Sequence, residues 1–416
     1  MSKIRIRNFG PIREGLMENN GWIEIRRATV FIGDQGSGKS TVAKLISTFL
    51  WIEKALTKGQ YEVKEFTNHN RFRRVYCGYH KIENYFGGVD KIDRAEIEFV
   101  GDSYRMFYFH GKLEIQKLDA IKYHLPQIMY VPAERNILST VKRTKWLNLF
   151  PGTLMDFLTE FDNAKNAMKG GIELPINNAI VDYDKLNDRI NIKGKDYKVP
   201  LPETSSGFQS LVPLFIVSRY LSQKIAKAED YSDLGMSAFE LQNFRKESSA
   251  IVNNPALTDS QKREALSLLG SRFNKSAFIN IVEEPEQNLF PGSQRKILNS
   301  LLAFANLNLG NKLIITTHSP YLLMYLSLAI QGKYLYNKLL EENRAGGLVS
   351  ELNSIVPLES LIAGDEVVVY QLSEVTGTIE ILKNYEGIPS DQNYLNNSLA
   401  AGNELFDSLL EIEQSL

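Results

Sequence analysis

The stretch GDQGSGKST, Gly33 to Thr41, decides how the rest of the chain is read. It fits the pattern G-x-x-x-x-G-K-[ST], with the apolar run ATVFI just before it and VAKLISTFLWIEKAL, spaced as a helix, just after. Strand, loop and helix in that order form a phosphate cradle. Gly33, Gly36 and Gly38 let backbone N–H groups curl round an anion, and the helix that follows points its positive end at the same place. The loop as a whole, with Asp34, Gln35, Ser37 and Thr41, is the expected nucleotide-binding stretch. Lys39 is placed to reach the β- and γ-phosphates of ATP, and the Ser40 hydroxyl to ligate Mg²⁺.

With 416 residues, the chain has room for two or three structural units. Its 43% hydrophobic and 23% charged content are those of an ordinary globular protein. A formal net charge of −1 excludes a polycationic nucleic-acid coat and leaves local basic patches open. One cysteine, Cys77, forms no internal disulfide, and MSKIRIRNFG has no apolar signal core, so a cytoplasmic protein without a membrane span is expected.

KIRIRNFGPI reads as an edge strand that turns at Gly10-Pro11. RAEIEFVGDSYRMFYFHGKLEIQKL reads as an antiparallel meander with turns at Gly101-Asp102 and His110-Gly111. QIMYVPAERN predicts a buried strand closed by Pro132, and TLMDFLTEFDNAKNAMKGG a helix stopped at Gly170-Gly171. A hairpin is expected around INIKGKDYKV, then a long apolar helix after LPETSSGFQS, then a polar surface insertion. Two buried strands, AFINIVEEPE and KLIITTHSP, flank the helix PGSQRKILNSLLAFANLN. The tail reads as a hairpin, DEVVVYQL to GTIEIL, followed by the amphipathic NELFDSLLEIEQSL. The implied division is an N-terminal lobe 1–136, a helical insertion 137–180, a signature region 181–221, a polar helical insertion 222–275 and a C-terminal lobe 276–416.

FINIVEEPE ends an apolar strand in paired acids. Like charges this close at a strand end call for a cation, so Glu283 is the candidate Mg²⁺ holder and Glu284 the base for an attacking water. His318, directly after the next buried strand, is a candidate γ-phosphate sensor. Ser206 and Gly207, in ETSSGFQSL, open a helix and offer a hydroxyl and N–H groups to a phosphate.

Phosphate loop, S-S-G-F-Q, strand with E-E-P-E, and strand with T-H-S-P follow one another as in the ATP-binding-cassette ATPases, and SSGFQ is similar to their L-S-G-G-Q signature. With NFGPI, YVPAER, EEPEQNLFP and TTHSPYLL, the chain resembles the non-transporter cassette ATPases related to the overcoming-lysogenisation-defect proteins and to chromosome-maintenance and recombination-repair ATPases, in particular the anti-phage defence subgroup. The resemblance implies an α/β, three-layer P-loop fold of cassette type, with an antiparallel N-terminal sheet, a parallel core sheet and helical insertions. It implies an ATPase whose Ser206 and Gly207 act on the ATP of a second subunit, so that the working unit is a homodimer or a higher homo-oligomer. As partners it implies a separately encoded nuclease of toprim type and a phage-encoded trigger protein, with nucleic acid a further candidate. The glutamine expected after the YVP strand is replaced by Ala133 and Glu134, leaving Gln127 and Glu134 as alternatives for its place.

NRFRRVYCGYHK interleaves Arg71, Arg73 and Arg74 with Phe72, Tyr76 and Tyr79, a mixture that either grips nucleic acid or docks a helix by its aromatic side; VKRTKW is a weaker patch. Asp182 and Asp184 in VDYD have the spacing of half a two-metal nuclease centre, and their surroundings read as a hairpin. A second class of function, a repair or chromosome-associated ATPase acting on DNA, calls for long heptad arms that neither insertion carries.

Overall fold

The computed structural model describes residues 2–87, 92–119, 123–140, 152–227, 238–255, 257–273, 275–342 and 346–415. From the N-terminus come strands β1 (Lys3–Arg7), β2 (Gly15–Leu16), β3 (Ile23–Glu24) and β4 (Ala28–Gly33), then helices α1 (Lys39–Thr57) and α2 (Val63–Thr67). The meander β5 (Glu96–Val100), β6 (Tyr104–Phe109) and β7 (Lys112–Lys117) leads to β8 (Pro126–Val131), α3 (Ile137–Thr140) and α4 (Gly152–Asn166). Four short strands follow, β9 (Ile172–Glu173), β10 (Ile180–Asp184), β11 (Arg189–Lys193) and β12 (Lys198–Pro200). The long α5 (Ser206–Ala226) precedes α6 (Ala238–Val252) and α7 (Asp259–Phe273), and then β13 (Ala277–Glu283), α8 (Pro291–Asn306) and β14 (Lys312–Thr317). The chain closes with α9 (Pro320–Glu341), α10 (Gly346–Ile355), β15 (Val367–Leu372), β16 (Thr378–Ile381) and α11 (Tyr394–Gln414).

Seven strands form the core sheet in the order β2-β16-β15-β4-β14-β13-β8. Strands β8, β13, β14, β4 and β15 run parallel, so their C-terminal ends share one edge. All six residues of β4 and all seven of β13 are buried, as a sheet covered on both faces requires. Alternate side chains then part to two cores. Phe31, Ile281 and Ile314 pack with α1, while Val30, Val282 and Ile315 pack with α5, α8 and α9. Sheet between two helical layers is the α/β P-loop architecture, extended by a second, antiparallel sheet in the order β3-β1-β5-β6-β7. That sheet closes over the outer side of α1, with Ile4, Ile97 and Phe99 in the same cluster as Phe49. The meander therefore stands as read.

The opening strand is not an edge. β1 lies between β3 and β5, because its Ile4 and Ile6 face the core while Arg5, on the other face, pairs with Glu98 of β5. Alternation reveals which face is buried; it does not reveal how many neighbours a strand has. The tail hairpin forms, and β15 also docks parallel to β4 from Val367↔Ala28 to Leu372↔Gly33. Strands β9 to β12 make a small sheet whose Val181, Ile190 and Ile192 join Phe157 and Phe161 of α4 in the core under α5. VKRTKW lies outside the described residues, as does part of the polar insertion, in which α6 and α7 are each 15 residues long. Among the described residues no helix is long and apolar enough to cross a membrane.

Glu53 of α1 ties helix to meander. Its Oε1 accepts from the N–H of Ser103 at 2.6 Å and of Tyr104 at 3.1 Å, and Gly101 leaves no room beside it for a Cβ. Burial pushes this carboxyl up from 4.5 to about 7, outweighing the two N–H donors that pull it down. A raised folded value means that the contribution is whole below the unfolded value and lost as pH rises through the folded one, here between about pH 4.5 and 7. The difference corresponds to at most about 3 kcal/mol. Urea midpoints measured across this window should fall for the wild type and stay flatter for Glu53→Gln; parallel curves would remove Glu53 as the cause.

Candidate functional site

The phosphate loop connects the C-terminal end of β4 to α1, at the shared edge of the parallel strands. Gly33 has φ 144°, and a Cβ there would stand 2.2 Å from the Leu372 carbonyl oxygen. Gly38 has φ 101° and lies against Pro11 and Ile12, which explains NFGPI: the turn from Phe9 to Ile12 braces the loop from outside. Asp34, Gln35 and Gly36 are exposed, whereas Ser37, Gly38, Lys39 and Thr41 are buried and Ser40 is half-buried. Gly38 caps α1 in the left-handed conformation with no side-chain cap bond, so no side chain competes for the first-turn N–H groups.

Lys39 folds back on the loop. Its Nζ donates to the carbonyls of Gly33 at 2.8 Å and Asp34 at 2.7 Å, and to Ser37 Oγ at 3.4 Å. Burial lowers its pKa from 10.5 to about 8, against the pull of Glu284, Asp34 and Glu286. A buried ammonium resting on loop carbonyls suits an anion that replaces them.

Glu283, at the end of β13, faces the α1 side of the sheet. Its Oε1 accepts from the Tyr130 hydroxyl and its Oε2 from the Ala133 N–H at 3.2 Å. Thr316, paired with Glu283 in register, has a buried hydroxyl with no hydrogen-bond partner among the described residues. Glu283, Ser40 and this hydroxyl are oxygen groups of the kind Mg²⁺ takes. Glu284 sits at φ 43°, with its amide held by the Thr316 carbonyl at 2.9 Å, and its carboxylate lies 3.8 Å from His318 Nε2. His318 is kept below the usual imidazole range by burial and by Lys39. Its own N–H donates to Glu286 Oε1 at 2.8 Å, which also accepts from Thr317 at 2.8 Å. Burial raises the Glu286 carboxyl, and its Oε2 has no hydrogen-bond partner among the described residues.

Sequence reasoning missed Arg135. This side chain is fully buried and donates to four backbone carbonyls: Nε to Ser210 at 3.1 Å, Nη1 to Pro132 at 3.3 Å and Glu283 at 2.7 Å, and Nη2 to Glu284 at 2.6 Å. Burial lowers its pKa to about 10, leaving it charged at neutral pH. YVPAER carried the signal, since an arginine straight after a buried strand needs acceptors.

Ser206 and Gly207 are brought to the first turn of α5, not to the phosphate loop's side of the sheet. Ser206 is exposed, and Gly207 fits against the Asn288 carbonyl, 2.9 Å from where a Cβ would stand. Gln127 lies at the opposite end of β8 from the site, in register with Phe278, while Glu134 is exposed one residue past the Ala133 N–H that reaches Glu283. The VDYD pair is not a metal centre. Asp182 is bonded by Lys193 at 2.9 Å and Lys198 at 3.1 Å, and Asp184 caps the turn at Leu186 and Asn187. No cluster of His, Cys, Asp and Glu that could hold a metal occurs among the described residues.

The AAA ATPase domain family matches residues 263–323, the segment that carries Glu283, Glu284 and His318. No curated protein is significantly similar to the chain. Among solved structures it is similar to an SMC head domain from Thermotoga maritima, at TM-score 0.37 and 10% identity over 92% of this chain and 98% of that one. It is also similar to an Smc head domain with an extended coiled coil bound to the C-terminal domain of ScpA, derived from Pyrococcus furiosus, at TM-score 0.37 and 9% identity over 97% and 100%. A nucleotide-free ATP-binding cassette from an ABC transporter gives TM-score 0.27 and 14% identity over 93% and 94%. With its P-loop architecture and the matched ATPase segment, the chain is an ATPase.

Arg135→Lys keeps the charge and loses the planar fork, so it should slow turnover about tenfold while ATP affinity changes less than about threefold. Steady-state ATPase assays beside direct nucleotide titration check this. Unchanged turnover in a folded variant would leave Arg135 a packing residue only.

Proposed function

We propose that the chain is a regulatory ATPase of cassette type that binds ATP·Mg²⁺ between two copies of itself and belongs to an anti-phage defence complex. The carrying observation is the division of the nucleotide motifs across the core sheet. α1, with Lys39 and Ser40, packs in one core, and α5, with Ser206 and Gly207 at its exposed start, packs in the other. A signature turned outward in this way supports contact with nucleotide held by a second chain.

In this reading the cradle Gly33–Thr41 binds the triphosphate and Lys39 leaves the loop carbonyls for the β- and γ-phosphates. Ser40 and Glu283 would hold Mg²⁺, which would supply charge neutralisation when bound. Glu284 takes the proton of the attacking water, and His318, kept neutral, hydrogen-bonds the γ-phosphate.

Ser206→Arg chains and Lys39→Ala chains should each be inactive alone. Mixed, they should recover up to about half of the wild-type activity per mixed dimer, because one composite site holds both defects and the other neither. ATPase assays on the mixture test this; folded, associating variants that stay inactive when mixed would place each site within one chain.

The defence role rests on the resemblance stated above, which includes a likeness to the ATPase subunit of the phage anti-restriction-induced system. The effector is then a separately encoded toprim-type nuclease, held by this cytoplasmic chain and released when a phage protein engages it. α6 and α7, about 22 Å each at helical rise, are too short to be arms of a chromosome-type ATPase, which favours this reading over direct action on DNA. α11 supports a docking role: none of its residues is buried, and Leu405 (70% exposed), Phe406 (61%) and Leu409 (63%) share it with four acids and no base. Phage plating on cells that carry the chain with its neighbouring genes should lose protection when Leu405, Phe406 and Leu409 are changed to Glu, with ATPase activity kept. Undiminished protection would remove α11 as the docking surface.

A further inference from the structure

A cavity of about 340 Å³ lies between α1, the turn Phe72–Cys77, β8 and the start of α4, away from the phosphate loop. Its volume is in the range of small-ligand sites. Aromatic side chains form much of its wall: Trp51, Tyr61, Tyr76, Tyr79 and Tyr130. The ring centroids of Trp51 and Tyr76 are 5.7 Å apart and inclined at 36°, in an aromatic cluster with Tyr61 and Phe66. His80, only 3% exposed, also lines the cavity, and its buried Nδ1 has no hydrogen-bond partner among the described residues. The Asp156 carboxylate, to which the Tyr79 hydroxyl donates, adds an acceptor, and Arg71 a cation.

The packing separates two halves of the basic-aromatic stretch that the sequence left joined. Phe72 is core, and Arg73 is spent on the Glu83 carbonyl at 2.7 Å and on the Phe86 ring. Arg71, Tyr76 and Tyr79 line the cavity, with Arg71 3.9 Å from the Glu65 carboxylate. A purely apolar aromatic would leave His80 Nδ1 unpaired, an aliphatic group would leave the π faces unused, and a cation, though drawn by Asp156, would be opposed by Arg71. A flat ring with both N–H and acceptor nitrogen on its edge satisfies all of them. We propose that this cavity binds a nucleobase, stacked on Trp51 and Tyr76 and hydrogen-bonded by His80 and Asp156.

The base could come from a free nucleoside or from single-stranded nucleic acid. Tyr130 also lines the cavity, 4.9 Å from the His80 ring, and its hydroxyl donates to Glu283. An occupied cavity therefore bears on the ATP site, a link that rests on the role proposed for Glu283.

The test titrates the full chain calorimetrically with adenosine, guanosine, cytidine and uridine, which lack the phosphates the loop would hold, and with single-stranded hexanucleotides. At least one nucleoside should bind saturably, one per chain, and weaken at least about tenfold in Trp51→Ala and in the bulk-conserving His80→Phe, with Lys39→Ala unaffected. Hexanucleotide binding at least about tenfold tighter than nucleoside, with the same sensitivity to Trp51→Ala, assigns the base to a strand, and its absence to a free nucleoside. No saturable binding to the folded wild type, binding lost with Lys39 and kept without Trp51, or uptake of indole but no nucleoside would each overturn the site. ATP turnover at saturating nucleoside should change at least about twofold in the wild type and not in Trp51→Ala; nucleoside bound without that change overturns the link to Glu283 alone.

Discussion

The structure around the candidate site is organised by one buried cation. Arg135 donates to the carbonyls of Pro132, Ser210, Glu283 and Glu284, drawn from the end of β8, the first turns of α5 and the end of β13. Those three segments are adjacent only because β8 and β13 are parallel neighbours with α5 packed across them. A guanidinium removed from water is costly unless its donors are used, and here every nitrogen has a carbonyl partner, with the charges of Glu286, Glu284 and Glu283 near by. Backbone geometry at the paired glutamates is thus fixed by a side chain from the turn that follows a neighbouring strand.

A second constraint acts at the phosphate loop. β15 runs parallel to β4 up to Leu372↔Gly33, so the loop must leave the sheet beside a foreign carbonyl, which only a residue without a Cβ can do. From the other side Pro11 and Ile12 press on Gly38. Arg13 secures that brace, its N–H bonded to the Gly377 carbonyl at 3.0 Å and its Nε to Thr376 at 3.1 Å. Segments from both ends of the chain thereby hold one loop, and α11 leaves from the same region, with Tyr394 near Asp34.

Legibility in the sequence followed the range of the interactions. The strand–loop–helix at Gly33–Thr41, the meander, β13, β14 and α8 were readable because each is set by local periodicity and turn chemistry. The neighbours of β1 and β15 were not, since pairing partners are chosen by tertiary packing. Candidate site residues divide in the same way. Glu283, Glu284 and His318 announced themselves as polar groups at the ends of apolar strands, whereas Arg135 and Tyr130 act through partners 148 and 153 residues away. Glu286 was hidden for another reason: it reads as part of an acidic run, yet it accepts from Thr317 and the His318 amide and so fixes the histidine's position.

The sharing of Arg135 between α5 and the paired glutamates carries a mechanical consequence. Ser210 is four residues past Ser206, about one helical turn, and Asn288 Nδ2 donates to Ser210 Oγ at 3.1 Å while its carbonyl bears on Gly207. The first turn of α5 is therefore joined to the loop after Glu284 by direct contact and through the guanidinium. A packed junction of this kind transmits displacement instead of absorbing it. On the proposed reading, a second chain's nucleotide pressing on Ser206 and Gly207 would shift α5 against Arg135 and alter the left-handed turn at Glu284, the one residue whose backbone must be held for its carboxylate to face His318. Association and hydrolysis would then be coupled within a single chain by a side chain that need touch neither ATP nor the partner.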